Sequence, residues 1–204
     1  TVYFTIHEDL RWYLRRGGEN KSVIENIISI WLRLMNPITP HLSEELNPTK
    51  DLISSSAWPQ LDDSKINATS EAGEELIKTT MDGMRNVMKL AKLEKPSKFT
   101  LFVSEAWKYG LFATLKEKIQ ETRNVGDIMK TILADESLKQ HGKDVSKIVQ
   151  STLKDVSRLP SIVTSRGEEL DVIKDAQDFL SKEFDCTIEI MEKSDHPKAK
   201  SASP

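Results

Sequence analysis

The chain has 204 residues with a formal net charge of −3, 38% hydrophobic and 30% charged residues, and a single cysteine, Cys186. This length allows one or two domains with a hydrophobic core, and one cysteine excludes an internal disulfide and a cysteine-rich zinc site. The charge excludes the overall basicity of a chromatin-type nucleic-acid binder, and no apolar run approaches the roughly 18 residues of a membrane span. We therefore expect a cytoplasmic protein with no membrane partner, in which any polyanion is met by local basic patches.

The first part of the chain has the pattern of a helical bundle. Apolar side chains recur at helical spacing, and glycine or proline ends each run. We expect Ser22 and Glu25 to form a capping box at the second helix, and Thr39 with Pro40 to begin the third. The predicted helices cover 5–16, 22–36, 39–47 and 70–93, with a polar loop over 49–68.

The pattern becomes mixed after Pro96. Residues 99–104 are rich in β-forming residues and 186–191 alternate, so both are predicted strands. Helices are predicted between them, the last over 167–184. The sequence thus predicts a mainly α fold, with a helical-bundle segment over 1–95 and a small α/β domain with a short sheet over 96–204. Because a two-stranded sheet is marginal by itself, we expect the last strand of this domain to be missing.

No pattern for catalysis or metal binding is present in the sequence. There is no glycine-rich phosphate loop and no nucleophile elbow around a serine. None of the four histidines has a second histidine or the cysteine three or four residues away. We therefore predict no catalytic, cofactor-binding or metal-binding residue in this chain, and no activity of the chain by itself.

Basic side chains form two patches with the spacing expected for phosphate contacts. Arg11 and Arg15 lie four residues apart on one predicted helical face, with Arg16 beside them. Four cations on the long helix form a stripe about 21 Å long. The alternative for both patches is solvated surface, because a helix dipole already favours cations near the C-terminus. The four cations are Lys78, Arg85, Lys89 and Lys92.

A short motif gives the chain a family resemblance. A helix ending in Pro-x-x-Pro-His-x-x-Glu-Glu-Leu, with an arginine-rich stretch upstream and Trp58 and Pro59 downstream, resembles the anticodon-binding helical domain of class I aminoacyl-tRNA synthetases. Asn47 departs from the family, which often has tryptophan there. We expect His41 to have a structural role at the helix junction. The motif positions are Pro37, Pro40, His41, Glu44, Glu45 and Leu46.

Together with residues 99–108 and the Pro-Lys-Ala-Lys tail, these features make nearly the whole chain similar to leucyl-tRNA synthetases of the archaeal and eukaryotic type. The resemblance implies a C-terminal fragment whose partners are the remainder of the synthetase and leucine tRNA, through its body and long variable arm. It implies ATP and Mg²⁺ as cofactors of the full-length parent, with the catalytic and editing sites outside this fragment. Two alternatives stay open: the same region of an isoleucyl- or valyl-tRNA synthetase, and a non-enzymatic helical protein-interaction module.

The C-terminal part is nearly neutral, with 17 Lys and Arg against 18 Asp and Glu from Pro96 onward. The total charge of this domain is therefore too small to bind RNA through counterion release alone, and we expect a few local contacts to RNA instead. Lys198 and Lys200 in the tail complete the candidate tRNA-binding set.

Overall fold

The computed structural model describes residues 2–49, 51–156, 159 and 164–192. Within these residues the chain forms ten α-helices, two short 3₁₀ turns and two β-strands, which confirms the mainly α fold with a short sheet. Contacts divide the chain into two compact units, Thr1–Ile66 and Asn67–Pro204. None of the described helices is both long and apolar enough to cross a membrane.

The first unit is a small helical assembly. Its first two helices pack on each other, and the third contacts the second and the turn that follows it. The elements are α1 (Val2–Arg15), α2 (Lys21–Met35) and α3 (Pro40–Glu45), followed by 3₁₀ turns at Ile53–Ser55 and Asp63–Lys65.

Helix α2 begins earlier than the predicted capping box. Its N-cap is Asn20, whose side chain accepts a hydrogen bond from the backbone N of Val23 at 3.3 Å. The expected box is wrong, because Ser22 already lies inside the helix and Glu25 pairs instead with Lys21 at 3.6 Å. Asparagine satisfies a free N–H at a helix start as well as serine does.

The second unit contains a parallel two-stranded sheet, in which Lys98 pairs with Thr187 and Phe102 with Met191. Parallel strands need a long crossover, which six helices supply here. The elements are α4 (Ala68–Ala91), β1 (Lys98–Phe102), α5 (Ala106–Glu121), α6 (Val125–Ile132), α7 (Glu136–Lys139), α8 (Gly142–Lys154), α9 (Arg166–Asp175), α10 (Gln177–Phe184) and β2 (Thr187–Met191).

A hydrophobic core of this unit lies among the helices after β1. One cluster of buried aliphatic side chains from α5, α6, α7 and α8 fills it, so the apolar faces of all four helices are used. Its members are Leu111, Leu115, Ile128, Ile132, Leu138, Val145 and Val149. The polar faces of these helices are therefore fixed toward solvent.

Helix α4 packs within the second unit, although we expected it to close the first domain at residue 95. It contacts α9 closely enough that a Cβ at Gly73 would lie 3.0 Å from Cγ2 of Val172. The division by contacts therefore falls after Ile66. The domain boundary at 95/96 stays a prediction, as does the missing last strand.

Candidate nucleic-acid interface

The arginine patch lies at the C-terminal end of α1. Arg11 and Arg15 are exposed, and the Arg15 guanidinium lies 6.0 Å from the centre of the Trp12 ring. A left-handed glycine, Gly17 (φ 87°), ends the helix and leaves Arg16 half-buried in the following turn. The structure thus brings the three arginines together at a helix end where the dipole favours cations.

The turn that follows α1 is held by Tyr13. Its ring covers Gly18 so closely that a Cβ there would overlap it, and its hydroxyl accepts a hydrogen bond from the N of Asn20 at 3.3 Å. Because Asn20 also caps α2, one side chain joins the end of the arginine patch to the start of the next helix. This contact fixes the orientation of the patch within the first unit.

The motif residues form the junction between α3 and the loop after it. Glu44 accepts hydrogen bonds from the backbone N–H groups of Ile53 and Ser54, both at 3.0 Å. The Ile53 bond is the main cause that lowers the pKa of Glu44 below its ordinary value. His41, in contrast, is exposed, and its expected role at the helix junction stays a prediction.

The stripe on α4 divides into two kinds of cation. Arg85 lies 2.9 Å from Asp82 and 3.7 Å from Glu183 on α10, and its guanidinium lies 5.8 Å from the centre of the Phe184 ring. Arg85 is therefore engaged within the unit and holds α4 against α10. Lys78 is half-buried, whereas Lys89 and Lys92 are exposed.

Exposed apolar side chains lie beside these lysines. Val87 and Leu90 are 54% and 85% exposed near the end of α4, and Leu93 follows at 52%. This end of α4 therefore has the mixed basic and apolar character of a contact surface. The remaining two candidates, Lys198 and Lys200, lie outside the described residues.

The sequence analysis missed a third basic face, on α8. Lys143, Lys147 and Lys154 are all exposed there, and their spacings of four and seven residues, visible in the sequence, place them on one helical face. The N-cap of α8 is His141, whose ring stacks on Trp107 at 4.4 Å between centroids and 6° between planes.

A buried polar pair lies between α5 and α9. The Tyr109 hydroxyl donates to Oε2 of Glu169 at 2.7 Å, and both residues are buried. Burial raises the pKa of Glu169, while the Tyr109 hydrogen bond and the charge of Arg166 oppose that rise. Burial likewise raises the pKa of Tyr109. The pair joins α5 to α9 and faces no row of cations.

No metal site is indicated in the part of the chain that the structure describes, because no three side chains of His, Cys, Asp or Glu come together there. The exposed basic faces of α1, α4 and α8 are thus the surfaces with a recognisable chemistry. Each can attract phosphate groups.

Comparison with known proteins gives two findings. Residues 1–101 match the family described as the anticodon-binding domain of tRNA ligase. The whole chain is similar to leucine–tRNA ligases of Methanococcus maripaludis strain C7 (33% identical over 206 residues), Methanococcus vannielii (34% over 206 residues) and Pyrococcus furiosus (33% over 212 residues). In each case the match covers 100% of this chain but 21% of the relative. The chain therefore spans about a fifth of the length of these relatives.

Proposed function

Since residues 1–101 belong to the anticodon-binding domain family of tRNA ligases, we propose that this chain is the C-terminal tRNA-binding part of a leucyl-tRNA synthetase. One observation carries the proposal: the similarity to archaeal leucine–tRNA ligases extends over 100% of the chain. It therefore includes the α/β unit beyond residue 101, which favours the leucine enzyme over an isoleucyl- or valyl-tRNA synthetase.

In this proposal the full-length protein joins leucine to leucine tRNA in the cytoplasm, using ATP and Mg²⁺. The chain described here contributes RNA binding, while the catalytic and editing sites lie in the rest of the polypeptide. The sequence contains no glycine-rich phosphate loop, which supports a catalytic site outside this chain. The contacts of this chain are to the tRNA body and, through the C-terminal unit, to the long variable arm.

The exposed cations of α1 and α4 are the proposed phosphate contacts of the anticodon-binding-type region. Phosphate contacts position an RNA without reading its bases, so these residues set affinity for all tRNAs alike. Lys89 and Lys92 are free to reach an RNA in the geometry of the unit, as is Arg11. Arg85 is engaged by Asp82 and Glu183, and we assign it a positioning role.

A pair of charge reversals in the full-length protein tests this assignment. Lys89→Glu should weaken binding of a leucine tRNA transcript and reduce the slope of log affinity against log salt by about 0.7–0.9, with no change in the urea midpoint. Arg85→Glu should lower the urea midpoint, because it replaces attraction to two carboxylates by repulsion. Lys130→Glu is the control, since Lys130 is exposed on α6, outside the patches.

The competing function is a helical protein-interaction module. The exposed apolar side chains near the end of α4 favour it, because they also suit a protein partner. It predicts that the wild-type protein has no specific affinity for leucine tRNA. Its binding of the tRNA should then be as weak as that of an unrelated acidic protein of the same size used in its place. Binding of the tRNA by wild type with a measurable salt slope, together with the loss in Lys89→Glu, would exclude it.

A further inference from the structure

Helix α8 has one buried and one basic face. Val145, Val149 and Thr152 are buried against the core, and the three lysines occupy the opposite, exposed positions. At 1.5 Å per residue, the row from the first lysine to the last is about 16 Å long. We call it the α8 lysine row: Lys143, Lys147 and Lys154.

The charge of this row is little compensated. Asp144 is the one acidic side chain within α8, and its Oδ1 lies 3.9 Å from Nζ of Lys147, with 65% and 81% of the two side chains exposed. A pair so long and so exposed is weak. Burial lowers the pKa of Lys108, and the charges of Glu105 and Asp144 oppose that change. Among the residues that the structure describes, Lys143 and Lys154 form no ion pair.

The α8 lysine row contrasts with the stripe on α4, where Arg85 is tied to two carboxylates. It also shows how a nearly neutral domain can still bind RNA, because cations gathered on one helix face create a local positive potential that the total charge does not reveal. The similarity to leucine–tRNA ligases covers this unit as well, which favours RNA over an acidic protein as the partner.

We propose that the α8 lysine row binds the phosphate backbone of the tRNA. This inference rests on the proposed function and adds a contact surface in the C-terminal unit, apart from the candidates of the sequence analysis. The row positions the RNA and does not read its bases. It therefore contributes equally to leucine tRNA and to other tRNAs that reach this unit.

The test is a triple variant of the full-length protein, with all three lysines of the row changed to glutamate. Binding of a leucine tRNA transcript is measured across a salt series. We expect a loss of affinity of about tenfold or more at low salt and a slope reduced by about 2–3, the effect of three phosphate contacts. A second triple variant to glutamine should reduce the slope similarly without introducing negative charge or stressing the fold.

The matched control makes the same charge change on other exposed lysines of the same unit. These are Lys130, Lys139 and Lys182, on α6, α7 and α10. If the control lowers affinity and slope as much as the α8 variants do, the effect belongs to net charge and the α8 proposal is wrong.

The remaining outcomes separate the two proposals. If wild type binds tRNA with a measurable salt slope and the α8 variants bind as wild type does, the α8 proposal is overturned and the proposed function stands. If wild type does not bind tRNA, both are overturned. Unchanged tRNA binding combined with lost binding of an acidic protein would assign the row to a protein partner instead.

Discussion

Replacing Tyr109 with phenylalanine would test how much the second unit depends on its buried polar pair. The substitution removes the hydroxyl that donates to Glu169 at 2.7 Å and keeps the ring, so no large cavity forms. Tyr109 is 7% exposed and Glu169 is 5% exposed, so water cannot replace the lost donor. A buried acceptor that loses its partner costs about 1–3 kcal/mol, and we expect the free energy of unfolding to fall by about 2 kcal/mol.

Urea unfolding of the chain, followed by circular dichroism, measures this loss. Tyr13→Phe is the control, because the Tyr13 hydroxyl also makes a hydrogen bond, but an exposed one, to the N of Asn20 at 3.3 Å. Water replaces that bond, so the control should lose about 0.5 kcal/mol or less. Equal losses in the two variants would refute the argument that burial makes the Tyr109–Glu169 bond valuable.

The same pair predicts a pH dependence with a definite sign. Burial raises the pKa of Glu169 above its ordinary value of 4.5, so the folded chain holds this proton more tightly than the unfolded chain does. The stabilisation is complete below pH 4.5, and it is lost as the pH rises through the folded pKa. Glu169→Gln does not titrate, so its stability should change less than that of wild type over this window. Parallel curves of stability against pH for wild type and Glu169→Gln would contradict the assignment of this pH dependence to Glu169.

Contacts of Glu44 and Gly73 lead to two further predictions, and a third concerns activity. Glu44→Gln should speed hydrogen exchange at the backbone N–H of Ile53, because an amide has one acceptor oxygen where the carboxylate uses two. Gly73→Val should lower the free energy of unfolding by about 1–3 kcal/mol through overpacking against Val172, whereas Gly83→Val, with nothing within 4 Å of its Cβ, should cost only helix propensity. The chain should also be inactive in ATP–pyrophosphate exchange and in hydrolysis of leucyl-tRNA, and activity that persists through repurification would contradict this.

The helices and both strands could be predicted because their patterns are local. Apolar spacing located α2 and α4, and alternation located β2, within a few residues of the observed ends. The start of α2 was wrong because Asn20 and Ser22 are both good caps, and local sequence does not decide between two good caps two residues apart. The hydrogen bonding in the structure does decide, because the Asn20 side chain accepts a hydrogen bond from the backbone N of Val23.

The single helix predicted over 167–184 is two helices in the structure. It breaks at Ala176, which is fully buried, and no glycine or proline marks the break. Directly after it, the side chain of Gln177 donates to the carbonyl of Ile188 in β2 at 2.8 Å. The break thus coincides with packing onto the sheet, a tertiary contact that helical periodicity cannot contain.

The same limit explains why the candidate site could be predicted only in part. A row of cations at helical spacing is visible in the sequence, and by that criterion Arg85 on α4 and Lys147 on α8 are equivalent. Their difference comes from distant partners: Glu183, which pairs with Arg85, lies 98 residues further along the chain. Lys147 has a weak, exposed partner on its own helix. Spacing therefore identifies where phosphate contacts could form, whereas the carboxylates that the fold brings alongside determine which cations remain available to RNA.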